Sequence, residues 1–154
     1  MTRFIEFFVP GTPRSKGSTR SFQHAKTGKV VTLGMSTSTR SWQARVAAFA
    51  AEHWTGGVSD KPIYVTCVAV LDRPKCHCGT GKNSARLKDD APYYPTGHNT
   101  GDVDKLLRAV LDGLTGVVFR DDCQVVQATT RKRYVHKDNA DGALGMLIGI
   151  REIG

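Results

Sequence analysis

Apolar and polar residues alternate in two stretches near the ends of the chain. In the segment from Phe4 to Val9 every second side chain is apolar, and Pro10 ends the run. The segment from Leu144 to Ile150 has the same period of two, and an extended stretch from Gln124 to Tyr134 precedes it. This period predicts strands. We expect the last two strands to pair antiparallel through a loop over residues 135–142.

Two other segments repeat their apolar residues with the spacing of an α-helix. The first begins after possible N-caps at residues 36–39 and ends near Gly56. The second begins at Val103 or Asp104 and ends at Gly116. Both have one apolar face and one polar face, which is typical of helices that pack on a sheet.

The middle of the chain combines one strongly apolar strand with two polar segments. Ile63 to Leu71 has apolar residues on both faces, which predicts a central strand covered on both sides. Residues 14–29 are rich in Ser, Gly, Lys and Arg and precede a short apolar run at 30–33, a pattern that favours a basic hairpin or flap. Residues 73–100 have little periodicity and predict a long loop.

The order of these elements is strands, helix, strand, helix, strand, strand. It predicts a single α+β domain over residues 1–154, with a mixed or antiparallel sheet of about four to five strands packed against two helices. A chain of 154 residues with 40% apolar residues can bury one core. Because no apolar run approaches roughly 18 residues and the N-terminus does not resemble a signal peptide, we expect a cytoplasmic protein without a membrane partner.

The cysteines and glycines suggest little chemistry of their own. We interpret Cys67 and Cys123 as small buried residues, because four cysteines are few for a disulfide scaffold of this length. Cys76-His77-Cys78, with His98 downstream, is half of a zinc pattern whose second half is missing, and an ordinary loop is the alternative. Gly79-Thr80-Gly81-Lys82 lacks the spacing of a P-loop, so we expect no nucleotide cofactor.

Positive charge is concentrated in the first third of the chain. The sequence has 22 Lys and Arg against 14 Asp and Glu, a net charge of +8, and residues 1–45 hold eight of the basic residues and a single acid. This asymmetry favours binding to the phosphates of a nucleic acid, and a solubilising basic surface is the alternative. The candidate DNA-binding residues are Arg14, Lys16, Arg20, Lys26, Lys29, Arg131, Lys132 and Arg133.

Five of the fourteen acids lie in one segment, from Asp102 to Asp122. Asp102 and Asp104 flank the start of the second helix, where an extended residue followed by a helical one lets two carboxylates converge. Asp121 or Asp122 can add a third ligand if the following strand lies beside that helix start. Clustered carboxylates are typical ligands of Mg²⁺, which Mn²⁺ can replace. The alternatives are an N-cap at Asp102 and a turn at Asp121.

Arg108 lies four residues after Asp104 on the same stripe of the second helix. Its guanidinium can stabilise negative charge on a phosphate, but it cannot act as a general base because arginine stays protonated. Water activated by the metal would then attack the phosphate. An ordinary ion pair between Arg108 and Asp112 is the alternative.

Two stretches together are similar to the signature of RusA-type Holliday junction resolvases. They are Gly101-Asp102-Val103-Asp104-Lys105-Leu106-Leu107-Arg108-Ala109-Val110-Leu111-Asp112-Gly113-Leu114 and Val118-Phe119-Arg120-Asp121-Asp122-Cys123-Gln124-Val125-Val126. Lys132 stands where the family keeps a basic residue. The loop over residues 73–92 resembles the longer version of phage-encoded members, which would act in the cytoplasm of the host cell.

The resemblance implies a Mg²⁺-dependent homodimer that nicks two opposed strands of a four-way DNA junction. The metal and catalytic acids would be Asp102, Asp104 and Asp122, with Arg108 as a further catalytic residue. Two positions depart from the family pattern: Lys105 replaces the usual Asn, and Arg108 replaces the common catalytic Lys. A junction-binding protein without activity and a nuclease for flaps or forks are the alternative functions.

Overall fold

The computed structural model describes residues 2–17, 20–33, 35–135 and 143–154, without the side chains of 20, 22 and 31–33. The strands are β1 (Phe4–Pro10), β2 (Arg20–Gln23), β3 (Val30–Leu33), β4 (Ile63–Leu71), β5 (Val125–Tyr134) and β6 (Gly145–Glu152). The helices are α1 (Thr37–His53) and α2 (Val103–Leu114). The described part confirms the α+β class and the two helices. No helix in it is long and apolar enough to span a membrane.

The main sheet has four strands in the order β1-β6-β4-β5, and β2 and β3 form a separate hairpin. Strand β6 pairs antiparallel with β1 and with β4, whereas β4 and β5 are parallel. The sheet is therefore mixed, as the sequence predicts. A parallel pair needs a crossover connection, and α2 supplies it between β4 and β5.

The expected antiparallel pairing of the last two strands is wrong, because β4 lies between β5 and β6. Most of the predicted loop over residues 135–142 lies outside the described residues. Burial explains the order of the strands. Met146, Ile148 and Ile150 of β6 are fully buried, which suits an interior strand, whereas five of the ten residues of β5 are exposed. The polar sequence of β5 therefore suits the edge of the sheet.

Both helices pack on one face of the sheet, over a core that includes Phe7, Val65 and Ile148. They approach each other closely at Gly113, where an added Cβ would lie 2.9 Å from the carbonyl oxygen of Gln43. The other face of β4 is only half-buried at Tyr64, Thr66 and Val68. The prediction that β4 is covered on both sides is thus wrong within the described part, although its interior position is confirmed.

The two cysteines interpreted as buried differ. Cys67 is buried in β4, and burial raises the pKa of its thiol to about 12. Cys123 is exposed, which contradicts the prediction. Its position explains the difference, because it lies in a short 3-10 helix, Asp122–Gln124, that precedes β5 at the surface.

Candidate active site

The backbone before α2 projects Asp102 from the protein. Gly101 has a φ of 78°, a conformation that glycine adopts without strain, and Asp102 is extended with φ −87° and ψ 142°. Asp102 is the N-cap residue, yet its side chain makes no capping hydrogen bond. The N-cap alternative therefore does not explain this carboxylate. Asp102 and Asp104 are both exposed at the start of α2.

Lys132 of β5 holds the turn that precedes Asp102. Its Nζ donates hydrogen bonds to the carbonyl oxygen of Gly101 at 2.7 Å and to the hydroxyl of Thr100 at 2.9 Å. The ammonium is partly buried there. Lys132 thus brings a fixed positive charge to the start of α2, a role that its place among three consecutive basic residues does not predict.

Lys105 forms an ion pair with Asp102, with 2.8 Å between Nζ and Oδ2. The hydrogen bond and charge of Lys105 lower the pKa of Asp102, and the charges of Lys132 and His98 contribute further. Asp102 is therefore ionised at neutral pH, as a metal ligand must be. A cation bound there would compete with Lys105, because both would bind the carboxylate of Asp102.

The second acidic turn is built differently. Asp121 caps the 3-10 helix by accepting a hydrogen bond from the backbone N–H of Cys123 at 2.9 Å, and this bond lowers the pKa of Asp121. The side chain of Gln124 completes a capping box by accepting from the backbone N–H of Asp121. Asp122 is exposed and takes no part in the cap. The metal ligands predicted from the sequence include Asp122 and not Asp121, which is consistent with this division of roles.

This turn is tied to the protein at the start of β4 and β5. Gln124 Nε2 donates to the carbonyl oxygens of Ser59 and Lys61 at 3.0 and 3.2 Å. Ser59 in turn donates to Glu152, which is buried and also accepts hydrogen bonds from Arg3. A network from the core thus fixes the position of the turn that carries Asp122. The sequence signal for it was weak, because Gln124 and Ser59 are ordinary loop residues.

The two acidic turns lie at opposite ends of β5. Lys132, near the end of this strand, contacts Gly101, whereas Asp122 precedes its first residue, Val125. Lys132 lies seven residues after Val125, roughly 23 Å along the strand at the usual rise. Within the described part, no three His, Cys, Asp or Glu residues form a group that could hold a metal ion. One chain alone therefore does not bring Asp122 to Asp102 and Asp104.

The same finding removes support for a zinc site at Cys76, Cys78 and His98, all of which are described. His77, between the two cysteines, packs edge-on against Tyr134 with ring centroids 5.1 Å apart. The segment is a 3-10 helix, Lys75–His77, within the loop. The packing of His77 on Tyr134 of β5 therefore explains the position of this segment.

Asp112 does not pair with Arg108. It accepts hydrogen bonds from Lys16 Nζ at 2.5 Å and from Gln43 Nε2 at 3.2 Å. Arg108 is exposed and has no ion pair or hydrogen bond within the described residues. Lys16, proposed for DNA binding, thus has its charge balanced by Asp112, whereas Arg108 is available to a phosphate.

The remaining candidate basic residues lie on several surfaces. Arg14 is exposed in the segment after β1, and Lys26 and Lys29 are exposed at the hairpin tip. The side chain of Arg20 lies outside the described part. Arg131 is paired with Val68 in the register, so it faces the open side of the sheet, and Arg133 does the same, opposite to Lys132.

Comparison with known protein families identifies the family of the chain. Residues 10–140 match the family described as endodeoxyribonuclease RusA. The chain belongs to the RusA family. It is therefore an endodeoxyribonuclease of the Holliday junction resolvase type, an enzyme that binds branched DNA and hydrolyses its phosphodiester bonds. No curated protein is similar enough to count as a match.

Proposed function

We propose that this RusA-family enzyme is a Mg²⁺-dependent homodimer that resolves four-way DNA junctions by nicking two opposed strands. Each active site combines Asp102 and Asp104 of one subunit with Asp122 of the other. The observation that carries this proposal is the separation of the acids along β5. Among the described residues of one chain, the three exposed carboxylates belong to no group that could hold a metal ion, and a second chain can bring them together.

The edge strand β5 offers a surface on which a second copy can pair. It is ten residues long, lies at the edge of the sheet, and exposes 63% of Val126. An unpaired edge of this length readily accepts another strand. A two-fold axis through the middle of β5 would pair two copies antiparallel and place the start of one strand beside the end of the other.

Charge favours the same arrangement. The start of β5 follows Asp121 and Asp122, and its other end contains Arg131, Lys132 and Arg133. Antiparallel pairing places the acids of each copy near the cations of its partner. It keeps the like charges of the two copies apart, because they lie toward opposite ends of the strand.

The chemistry of the donors fits a hard divalent cation. Asp102, Asp104 and Asp122 supply only oxygen atoms and are exposed, so a cation bound by them can keep several water ligands, as Mg²⁺ prefers. A bound Mg²⁺ would stabilise negative charge on the phosphate and lower the pKa of a water molecule. One subunit does not by itself bring the three ligands together.

The basic residues near the acids have separate roles. Arg108, exposed on α2 and not engaged within the described residues, binds a phosphate oxygen as charge develops on it. Lys132 holds the turn through Gly101 and orients Asp102. Neither role requires a proton to be removed by arginine.

The test compares synthetic substrates with and without Mg²⁺. We expect the purified protein to make paired nicks in two opposed strands of a four-way junction only when Mg²⁺ is present. It should cut flap, fork and linear duplex controls much more slowly. Asp104→Asn should abolish cutting and retain or strengthen binding, because it removes negative charge near phosphates. An intact junction under these conditions would contradict the proposal, and equal cutting of flaps or forks would indicate a nuclease of broader range.

A further inference from the structure

A second basic surface lies in the long loop between β4 and α2. Residues 73–88 contain five basic residues and no acid. Asp89 and Asp90 follow directly, so residues 73–90 retain a net charge of +3. Four of these basic side chains are exposed, namely Lys75, Lys82, Arg86 and Lys88. We refer to these four as the loop cations.

The loop has a defined structure. It contains two 3-10 helices, Lys75–His77 and Gly81–Asn83, and backbone hydrogen bonds connect its two sides. The backbone N–H of Gly79 donates to the carbonyl oxygen of Arg86 at 2.9 Å, and that of Lys88 donates to His77 at 2.9 Å. The loop cations are therefore held on a folded segment, so less conformational entropy is lost when they bind a ligand.

Arg73 fixes the base of the loop to the end of β5. Its guanidinium donates to the carbonyl oxygens of Val135 at 3.1 Å and Pro92 at 2.7 Å, and it lies 5.0 Å from the ring centroid of Tyr134. Tyr134 is two residues beyond Lys132, roughly 7 Å along the strand. The loop thus leaves the protein beside the turn that carries Asp102.

Like Arg108, the loop cations have no partner among the described residues. Within the described part, none of their side chains forms an ion pair or a hydrogen bond, whereas Lys16 is paired with Asp112 and Arg3 with Glu152. A phosphate can therefore bind the loop cations without breaking an internal contact. Phosphate contacts of this kind position a duplex and do not read its sequence.

We propose that the loop cations bind the phosphate backbone of one DNA arm next to the strand that is cut. The inference rests on the proposed function and adds a surface separate from the β2–β3 hairpin and from Arg131 to Arg133. It favours DNA over another polyanion because the base of the loop and the turn that carries Asp102 share one end of the sheet.

The test measures binding to a synthetic four-way junction in EDTA over a range of salt concentrations. One variant combines Lys82→Ala, Arg86→Ala and Lys88→Ala, and a matched control combines Lys82→Arg, Arg86→Lys and Lys88→Arg. We expect the alanine variant to lose at least about tenfold in affinity and to reduce the slope of log affinity against log salt by roughly 3. The control should keep the affinity and slope of the wild type.

Wild-type affinity and slope in the alanine variant would overturn the inference. An equal loss in both variants would also overturn it, because the charge would then not be the cause. These outcomes are distinct from a failure of the proposed function, in which the wild-type protein itself would neither bind the junction nor cut it with Mg²⁺.

Discussion

The two ends of β5 carry acids of similar type in different surroundings. At the C-terminal end of β5, Asp102 is exposed, it is paired with Lys105, and the charge of Lys132 also acts on its carboxylate. At the N-terminal end of β5, the turn that carries Asp122 is held by Gln124 and, through Ser59, by the buried Glu152. The first end is open and charged, whereas the second is anchored to the core.

In the proposed dimer, this difference corresponds to a metal site that is divided between two subunits. The anchored end would hold the proposed ligand Asp122 at a defined point on the surface of each subunit. The open end would supply the proposed ligands Asp102 and Asp104, and a metal or DNA could displace Lys105 from its ion pair with Asp102. In the proposed dimer, the anchored end of one subunit would meet the open end of the other, and metal binding would depend on the dimer.

The largest expected effect is a difference in cutting rate between variants of the two neighbouring acids at the N-terminal end of β5, Asp121 and Asp122. Asp122→Asn should reduce the cutting rate at least about a hundredfold, because the proposed site would lose one of its metal ligands. Asp121→Asn should change the rate only a few-fold, because asparagine caps a helix about as well as aspartate. Single-turnover cutting of a four-way junction in Mg²⁺ measures both. Equal rates for the two variants would remove Asp122 from the site.

A smaller effect, on stability alone, is expected at Glu152. The hydrogen bonds from Arg3, with a further one from Ser59, lower the pKa of Glu152 from 4.5 to about 2. Because the folded-state pKa is depressed, the ionised carboxylate stabilises the protein above pH 4.5 and this stabilisation is lost as the pH falls toward 2. Glu152→Gln should lower the free energy of unfolding by about 3 kcal/mol at pH 7.

Denaturant unfolding at pH 7 and pH 3 measures the Glu152 effect. The difference between the wild type and Glu152→Gln should be smaller at pH 3, where part of the wild-type stabilisation is already lost. Cutting by the folded variant at 25 °C should stay within a few-fold of the wild type. A large loss of cutting without a loss of stability would show that the anchored end acts in the chemistry.

Local patterns predicted most of the elements but not how the strands are ordered. The apolar run of β4 indicated an interior strand, and Ser36 caps α1 as expected, by accepting a hydrogen bond from Thr39 N–H at 3.2 Å. The partner of β6 was predicted wrongly, because alternation shows which face of a strand is buried and does not show which strand lies beside it.

The candidate site shows the same limit. The acids of the motif were identified from their spacing, and the structure places Asp102 and Asp104 together at the start of α2. Contacts between distant segments were missed. Lys16 lies 96 residues before Asp112, its partner, and Lys132 lies 31 residues after Gly101. The helical spacing of Arg108 and Asp112 suggested a local pair instead, which the tertiary contact replaces.

The most direct test of the shared site mixes two inactive variants. In the proposed dimer, Asp104→Asn and Asp122→Asn each inactivate both sites when alone. A heterodimer of the two regains one intact site, formed by Asp104 of one subunit and Asp122 of the other. An equal mixture, allowed to exchange subunits, should therefore cut one strand of the junction with about a quarter of the wild-type sites active. If subunit exchange is demonstrated and the mixture remains as inactive as its components, the shared site is contradicted.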